Sequence, residues 1–222
     1  MEILNTIQKV AILALPVLFA ITVHEAAHGW MAKRHGDKTA LMLGRVTLNP
    51  IKHIDPVGTI LVPLVTFLMS GFLFGWAKPV PVNWRNLKNP RRDMALVALA
   101  GPGANLLMAL GWALIIKLGV VILPLSEWLA LPLIYMGGAG VLFNALLMVL
   151  NLTPILPLDG GRVLNAVLPP RAAYQFSRLE PYGMFIIVGL LVSGILGKFL
   201  WPLILFVINI LPASNIVKEL YF

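Results

Sequence analysis

The chain has 222 residues, of which 59% are hydrophobic and only 12% are charged, and its mean hydropathy is +0.89. Soluble domains carry about 25% charged residues, so this composition excludes an ordinary soluble protein and predicts an all-α polytopic membrane protein. The net charge of +8 does not indicate nucleic-acid binding, because membrane proteins concentrate Lys and Arg in their cytoplasmic loops. The absence of cysteine excludes disulfide bonds and thiolate metal sites.

Long apolar runs predict about five or six membrane segments. The first helix is expected from about Ile7 to Met31, which is long enough to cross roughly 30 Å of hydrocarbon. A shorter apolar run spans about Val57–Gly75. The last apolar run, Tyr182–Leu211, is interpreted either as one tilted helix or as two short helices broken near Gly197. The later runs lie at about Met94–Leu118, Leu133–Leu152 and Tyr182–Leu211.

Basic loops flank the run Val57–Gly75. In the loop Ala32–Pro56, the part Leu41–Leu48 alternates weakly, which allows a short strand. In the loop Trp76–Asp93, the prolines of Lys78-Pro79-Val80-Pro81-Val82-Asn83 exclude helix and favour an edge strand or an extended segment. We therefore expect a short extended element at the membrane surface.

Two histidines lie four residues apart in the first predicted helix, as His24-Glu25-Ala26-Ala27-His28. Positions four apart share one helix face, so the two imidazoles can bind one metal ion, and zinc is the favoured metal for such a pair. Glu25 is placed to take a proton from an attacking water as general base. Ionisable groups inside membrane helices are costly and usually functional, which argues against a packing role for all three.

Asp159 is the candidate for a third ligand, because a catalytic zinc site uses three protein ligands. Of the nine acidic residues, only Glu25 and Asp159 lie within apolar sequence. Pro154 and Pro157 break the preceding helix, and the glycines that follow Asp159 allow close approach of the backbone. In the alternative, Asp159 only caps a short helix Arg162–Leu168. We favour the ligand, since Ser or Asn would cap at lower cost in a membrane.

Together these motifs resemble those of the site-2 protease family of intramembrane zinc metalloproteases. The first motif is H-E-x-x-H at His24–His28. The chain also carries that family's N-x-x-P-x-x-x-x-D-G, and a segment similar to its G-P-x-x-N. The N-x-x-P-x-x-x-x-D-G motif consists of Asn151, Pro154, Asp159 and Gly160. The segment similar to G-P-x-x-N consists of Gly101, Pro102 and Asn105.

The resemblance implies one zinc ion per chain, held by His24, His28 and Asp159, with Glu25 as the base. It implies a substrate protein whose transmembrane segment is cut within the bilayer. It further implies a single integral-membrane metalloprotease domain over residues 1–222, with a catalytic core at about 7–168 and one or two C-terminal membrane segments at 182–211. The likeness is greatest to the bacterial and archaeal branch with a bare membrane core, without a PDZ or CBS domain, and it implies a prokaryotic inner or plasma membrane.

The ligands must meet at one depth, and this constrains the topology. The His pair and Asp159 lie near the C-terminal ends of their helices, whereas Gly101–Asn105 lies near the N-terminal end of its own. The run Val57–Gly75 must therefore enter and leave on one side, as a re-entrant segment. Residues 32–56, 76–93 and 160–181 contain five, five and three of the 17 Lys and Arg. By the positive-inside rule that side is cytoplasmic, which places the N-terminus outside and the metal toward the cytoplasm.

Several polar residues have two interpretations. Asn105 and Asn144 are expected to form interhelical hydrogen bonds, and the resemblance adds contact with the substrate's opened backbone for Asn105. The Asn151 side chain is expected to donate hydrogen bonds to carbonyl oxygens that Pro154 leaves without a donor. Asn151, Pro154 and Gly160 are therefore expected to support the site. The segment formed by Lys78, Pro79, Val80, Pro81 and Val82 either pairs with an extended substrate by strand addition or is a simple surface loop.

Two further histidines are interpreted as loop residues. His53 and Asp55 are two positions apart and cannot share a helix face, so a loop turn is favoured over a second metal site. His35 is expected to be a solvated loop residue.

The sequence thus predicts a zinc-dependent intramembrane endopeptidase whose partners are a transmembrane substrate protein and membrane lipid. The alternative is a non-proteolytic membrane metal carrier or a pseudo-protease scaffold, which would use the His pair without needing Glu25. A transporter would tend to show paired broken helices in two related halves, and one strongly broken helix is evident here. The sequence leaves the substrate, the cleavage position and the oligomeric state open.

Overall fold

The computed structural model describes residues 6–70 and 75–222, and this part of the chain is helical without a β-strand. The predicted all-α fold is confirmed. Short 3₁₀ or π-type turns occupy Pro50–His53, Pro56–Leu61 and Trp84–Asn86. The α-helices, in chain order, are α1 Thr6–Arg34, α2 Thr39–Met42, α3 Val62–Ser70, α4 Pro90–Ile122, α5 Glu127–Asn151, α6 Asp159–Val167, α7 Pro170–Ser177, α8 Glu180–Val192, α9 Ile195–Ile210 and α10 Ser214–Tyr221.

Three of the described helices are long and apolar enough to cross a membrane alone, namely α1 over Ile12–Arg34, α4 and α5. Helices α8 and α9 make a fourth span if they are taken together, although they are bent by 82° at their break. Gly194 at this break has a φ of +72°, which favours glycine. Of the two interpretations of Tyr182–Leu211, two helices is therefore correct, with the break at Gly194 rather than near Gly197.

The core of the bundle is the contact between α4 and α5, against which α1 also packs. Small residues let these helices approach closely. A Cβ atom on Gly137 of α5 would lie 2.6 Å from Cγ1 of Ile116 on α4, and Ala109 and Ala113 of α4 are fully buried. Lipid tails are as apolar as side chains, so membrane helices associate through close packing of this kind.

Besides α2, the short helices α7 and α10 were not predicted from the sequence. Helix α7 lies in the polar loop after α6, and α10 follows α9 at the end of the described chain. The Tyr221 hydroxyl of α10 donates to the backbone oxygen of Tyr135 on α5 at 3.0 Å. This bond attaches the C-terminal helix to the core pair.

The strand suggested for Leu41–Leu48 is wrong, because α2 covers residues 39–42 and turns and bends follow it. Ala40 is buried against α1, where its Cβ would lie 3.3 Å from a Cβ on Gly29. The Arg45 amide closes the turn by donating to the Ala40 oxygen at 2.9 Å. Local helix packing thus overrides the weak alternation. Residues 77–83 form neither helix nor strand, and the prolines at 79 and 81 favour extended backbone at the residues before them, so we call Lys78–Asn83 the extended segment.

Asp37 joins the two basic loops. Its carboxylate is fully buried and accepts hydrogen bonds from the Asn83 amide at 2.7 Å, the Asn86 side chain at 3.1 Å and both the amide and the hydroxyl of Thr39. Burial alone raises the pKa of Asp37, but these hydrogen bonds outweigh it and hold the pKa below its usual value. Residues 37–39 therefore lie beside residues 83–86, on one side of the bundle.

The two ends of the run Val57–Gly75 lie close together. The π-type turn Pro56–Leu61 has six residues and α3, which follows it directly, has nine, together fewer than the roughly 20 residues that a bilayer requires. Residues 71–74 of the run lie outside the described part of the chain. On either side of them, the Trp76 amide donates to the Gly58 oxygen at 2.9 Å, and the Lys78 amide donates to the His53 oxygen at 3.0 Å. The two ends of the segment therefore lie side by side, as a re-entrant segment requires.

This geometry predicts the sidedness of the loops. The chain lacks cysteine, so single cysteines can be introduced as Met42→Cys and Arg85→Cys, with Leu125→Cys between α4 and α5 as the control for the opposite side. In intact spheroplasts, a membrane-impermeant maleimide is expected to label Leu125→Cys alone, and to label the other two after permeabilisation. Labelling of Met42→Cys and Arg85→Cys from opposite sides would contradict the re-entrant segment.

Candidate metal centre

The two histidines of α1 face one point inside the bundle. His24 and His28 are one helical turn apart, and both are buried. Their Nε2 atoms are 3.0 Å apart. This close approach follows from the four-residue spacing, which puts both side chains on the same helix face.

Asp159 completes a triangle with these two nitrogens. Helix α5 ends at Asn151, and Asp159 is the first residue of α6. Its Oδ2 atom lies 3.3 Å from Nε2 of His24 and 3.3 Å from Nε2 of His28. Leu158, not Asp159, occupies the N-cap position of α6, which favours the ligand over the capping interpretation.

The three atoms fit a tetrahedral metal ion. Zinc bonds of about 2.0–2.1 Å separate neighbouring tetrahedral ligands by about 3.3–3.4 Å, close to the sides of the observed triangle. Asp159 Oδ2 is buried and makes no hydrogen bond of ordinary geometry within the described residues. A buried carboxylate oxygen without a partner is costly, and a cation at the centre of the triangle removes that cost. Within the described residues, this is the one group of three His, Asp or Glu side chains that can share an ion.

Glycines let the backbone close around the triangle. Gly101 of α4 lies against the imidazoles, where a Cβ would be 2.6 Å from Cε1 of His24. A side chain on Gly160 would collide with the Leu152 carbonyl, and one on Gly161 would lie 2.5 Å from backbone atoms of Ile155 and Leu156. The predicted close approach of the backbone after Asp159 is therefore present. Gly101 likewise allows α4 to lie close to the two imidazoles.

The second nitrogen of each imidazole has a hydrogen-bond partner. His28 Nδ1 lies 2.7 Å from the Val97 backbone oxygen, and His24 Nδ1 lies 2.5 Å from Oδ1 of Asn105. A carbonyl oxygen only accepts, so each Nδ1 carries the proton and each Nε2 offers a lone pair to a metal. Asn105 is fully buried between helices, which favours its interhelical role over contact with substrate.

Glu25 is bound by the extended segment. Its Oε2 atom accepts a hydrogen bond from the Val80 amide at 2.7 Å. Arg45 holds this segment in place by donating from Nη2 to the Lys78 oxygen at 2.8 Å and to the Pro79 oxygen at 3.3 Å. Val80 packs on α1, since its Cγ1 would lie 3.1 Å from a Cβ on Gly29. Neither Arg45 nor the Val80 amide was found from the sequence, because the contacts run through backbone atoms.

This arrangement limits strand addition. The amides of Lys78 and Val80 already donate to the His53 oxygen and to Glu25, and Pro79 and Pro81 have no amide hydrogen. A strand added along Lys78–Pro81 would find no free donor, so a full antiparallel ladder cannot form there without first releasing Glu25.

The predicted supporting residues lie close to the triangle in the chain. The Asn151 side chain donates to the Leu147 oxygen at 3.0 Å, whereas the Leu150 oxygen, which Pro154 cannot bind, receives the Thr153 amide at 3.1 Å. Asn151 therefore stabilises the last turn of α5 at the Leu147 carbonyl, three residues before the Leu150 carbonyl that Pro154 frees.

The remaining histidines lie outside the triangle. His53 binds the Thr47 oxygen through Nε2 at 3.0 Å, and Asp55 caps the following turn by accepting from the amides of Val57 and Gly58. These contacts are those of a loop turn. The expectation for His35 is wrong, since it is half-buried and its Nδ1 lies 3.0 Å from Oδ1 of the buried Asp93. The start of α4 packs beside the end of α1 and covers much of the His35 side chain.

A family model described as Peptidase family M50 matches residues 12–194. The chain belongs to peptidase family M50, the site-2 protease family. Its resemblance to that family is thereby confirmed, and so is its class, a metalloendopeptidase.

Curated relatives agree with this assignment. The chain is 37% identical over 193 residues to "Putative zinc metalloprotease YwhC" of Bacillus subtilis, covering 86% of this chain and 85% of that protein. It is 30% identical over 192 residues to "Putative zinc metalloprotease Rip2" of Mycolicibacterium smegmatis, covering 84% and 69%. "Zinc metalloprotease MJ0392" of Methanocaldococcus jannaschii is 23% identical over 179 residues, covering 78% of this chain and 39% of that protein. No solved structure matches the chain.

The triangle predicts how metal content responds to substitution. Asp159→Ala removes one of three ligand atoms, and the purified variant is expected to lose most of its zinc. Asp55→Ala removes a carboxylate of the same type that only caps a turn, so it is expected to keep the zinc content of the parent. Elemental analysis of both proteins, with helicity measured by circular dichroism, provides the comparison. Full zinc occupancy in folded Asp159→Ala would exclude this residue as a ligand.

Proposed function

We propose that this protein is a zinc-dependent intramembrane endopeptidase that hydrolyses peptide bonds in transmembrane segments of membrane proteins, with one zinc ion per chain. The observation that carries the proposal is the triangle of His24, His28 and Asp159, whose ligand atoms lie within 3.3 Å of one another beside Glu25. Zinc is proposed because two imidazoles and one carboxylate are a ligand set typical of catalytic zinc.

The reaction divides between the ion and the protein. When bound, zinc supplies a Lewis acid that polarises the scissile carbonyl and lowers the pKa of a water toward about 7. Glu25 takes a proton from the attacking water and returns one to the leaving amine. The Val80 amide holds one oxygen of the Glu25 carboxylate at 2.7 Å, so the base is oriented before the substrate arrives.

The depth of the site supports a substrate within the bilayer. His28 lies six residues before Arg34, the last residue of α1, which is roughly 9 Å along the helix. On the α4 side, its Nδ1 binds the Val97 oxygen, seven residues after the first residue of that helix. The metal therefore lies inside the apolar part of the bundle, near the ends that carry the basic loops. By the positive-inside rule those ends are cytoplasmic and the N-terminus is outside.

A substrate helix must unwind at this site, because a helix hides its peptide bonds in its own hydrogen bonds. We propose that the opened strand lies beside Lys78–Val82, the extended segment in contact with Glu25. The amides of this segment are used within the protein, so contact is expected through side chains and carbonyl oxygens. We further propose that residues 1–222 form one domain with its catalytic core at about 7–168, in the inner or plasma membrane of a prokaryotic cell.

The central test of catalysis is Glu25→Gln. This change keeps the size of the side chain and much of its hydrogen bonding but removes its ability to take up a proton. The variant is expected to fold, to retain zinc and to lose cleavage of a model transmembrane substrate by at least about a hundredfold, the low end for general acid–base catalysis.

Two measurements distinguish a peptidase from a non-proteolytic metal carrier or pseudo-protease scaffold. Helix-breaking residues in the substrate's membrane segment are expected to speed cleavage by the parent protein, since attack needs an exposed peptide bond. Equal cleavage by parent and Glu25→Gln would contradict the mechanism. Zinc binding by both proteins without cleavage of any membrane substrate would favour a metal carrier or a pseudo-protease scaffold.

The Val80 amide provides a second test. Val80→Pro deletes the hydrogen bond to Glu25 in a segment that is already extended between prolines, whereas Val80→Ala shortens the side chain and keeps the amide. A hydrogen bond to a charged group is worth about 1.5–3 kcal/mol, so kcat is expected to fall about tenfold or more in Val80→Pro, with zinc content unchanged and KM little affected. The Val80→Ala control is expected to retain most of the rate. Equal rates for the two variants would show that the amide does not position Glu25.

A further inference from the structure

A row of buried polar side chains leads from α5 to the metal centre. Asn144 donates through Nδ2 to the Gly140 backbone oxygen at 2.8 Å. Asn105 donates through Nδ2 to Oδ1 of Asn144 at 2.9 Å and to the Ala20 oxygen at 3.3 Å. Its own Oδ1 lies 2.5 Å from Nδ1 of His24. Asn105 and Asn144 are both fully buried, in helices where an apolar residue is the ordinary choice.

The directions of the hydrogen bonds in this row follow from two backbone carbonyls: Gly140 orients Asn144, and Ala20 acts together with Asn144 to orient Asn105. The Gly140 oxygen only accepts, so Asn144 must present its NH₂ group there and its oxygen toward Asn105. That oxygen in turn requires the NH₂ group of Asn105. The Asn105 oxygen then faces His24, and Nδ1 of His24 must carry the proton. Its Nε2 is left with the lone pair that points toward His28 and Asp159.

The two ligand histidines differ in what fixes them. His28 bonds to the backbone oxygen of Val97, which cannot present a donor. His24 bonds to a side-chain amide, whose two ends are similar in size and exchange by rotation. With the amide reversed, an NH₂ group would face His24 Nδ1, and the imidazole proton would move to Nε2, where the metal has to bind. Asn144 opposes this reversal through the shorter of the two bonds made by Asn105 Nδ2, 2.9 Å against 3.3 Å for Ala20.

We propose that Asn144 is a positioning residue of the metal centre, which acts through Asn105 to hold His24 in the tautomer that binds the ion. Asn144 makes its hydrogen bonds to Asn105 and Gly140 rather than to a ligand of the triangle. The inference rests on the proposed metal site but not on the peptidase reaction. Residues that hydrogen-bond directly to a metal ligand, as Asn105 does, typically change metal affinity by 10–100-fold when they are replaced, and Asn144 acts one hydrogen bond further from the ion.

Zinc affinity of the full-length protein in detergent, measured by competition with a chromogenic chelator, tests this role. Asn144→Leu keeps a similar volume and removes the acceptor, and it is expected to weaken zinc binding about tenfold. Asn105→Leu is expected to weaken it at least as much. The double variant is expected to be no weaker than Asn105→Leu alone, because the two residues act in series.

Two further variants separate orientation from simple packing. Tyr221→Phe also deletes one hydrogen bond to α5, at Tyr135, and is expected to leave zinc affinity unchanged. Asn144→Asp is expected to retain the zinc affinity of the parent, unlike Asn144→Leu. A carboxyl group without a cation partner in apolar surroundings stays protonated. Its O–H can donate to Gly140 while its C=O accepts from Asn105. This variant carries the test if Asn144→Leu fails to fold.

The tautomer itself can be observed without metal. In zinc-free protein with ¹⁵N-labelled histidine, the parent and Asn144→Asp are expected to show His24 protonated at Nδ1, and Asn144→Leu is expected to show a mixture. Parent-like zinc affinity and a parent-like tautomer in folded Asn144→Leu would overturn the proposal, as would losses that add in the double variant. Failure of the parent itself to bind zinc would instead overturn the proposed function.

Discussion

The fold depends on bringing one carboxylate oxygen to within 3.3 Å of two imidazole nitrogens inside a membrane bundle. Burying charged and polar groups there costs free energy. A carboxylate without a partner would have to be hydrated or protonated. The protein meets this constraint with close backbone approach. Gly101 brings α4 against the imidazoles, and Gly160 and Gly161 fold α6 back on the chain after α5.

The same constraint explains the broken backbone before Asp159. A helix continued past Asn151 would carry the carboxylate away from α1, so the chain unwinds between α5 and α6. Irregular backbone at membrane depth is tolerated only where protein or a wet cavity covers it. Leu156 in this stretch is only 2% exposed, and Gly183 lets α8 lie directly against its carbonyl. Helix α8 therefore covers the irregular backbone that precedes Asp159.

The surface elements are arranged around Glu25 in a comparable way. Arg45 reaches from the first basic loop to the carbonyls of Lys78 and Pro79, and the Val80 amide meets Glu25. Asp37 holds the far end of the same extended segment at Asn83. The segment is thus held at three points, and the orientation of the Glu25 carboxylate depends on loops far from it in sequence.

Residues whose chemistry conflicts with their surroundings could be predicted from the sequence. The His pair follows from helix periodicity, and Asp159 follows from an acid placed in apolar sequence after two prolines. Arg45 and the Val80 amide were missed, because a loop arginine and a backbone N–H look alike whether or not they contact a site. His35 was misjudged for a related reason, since its partner Asp93 is remote in sequence. Pairings of this kind are fixed by tertiary packing and leave no local pattern.

The coordination of the metal tests the central claim most directly. X-ray absorption at the zinc edge, on purified protein in lipid nanodiscs, reports the number and type of ligands. We predict two imidazole nitrogens and one carboxylate oxygen from the protein at about 2.0–2.1 Å, with the multiple scattering of two imidazoles in the outer shells. A spectrum with fewer than two imidazoles, or with a six-oxygen shell, would contradict a zinc site formed by His24, His28 and Asp159.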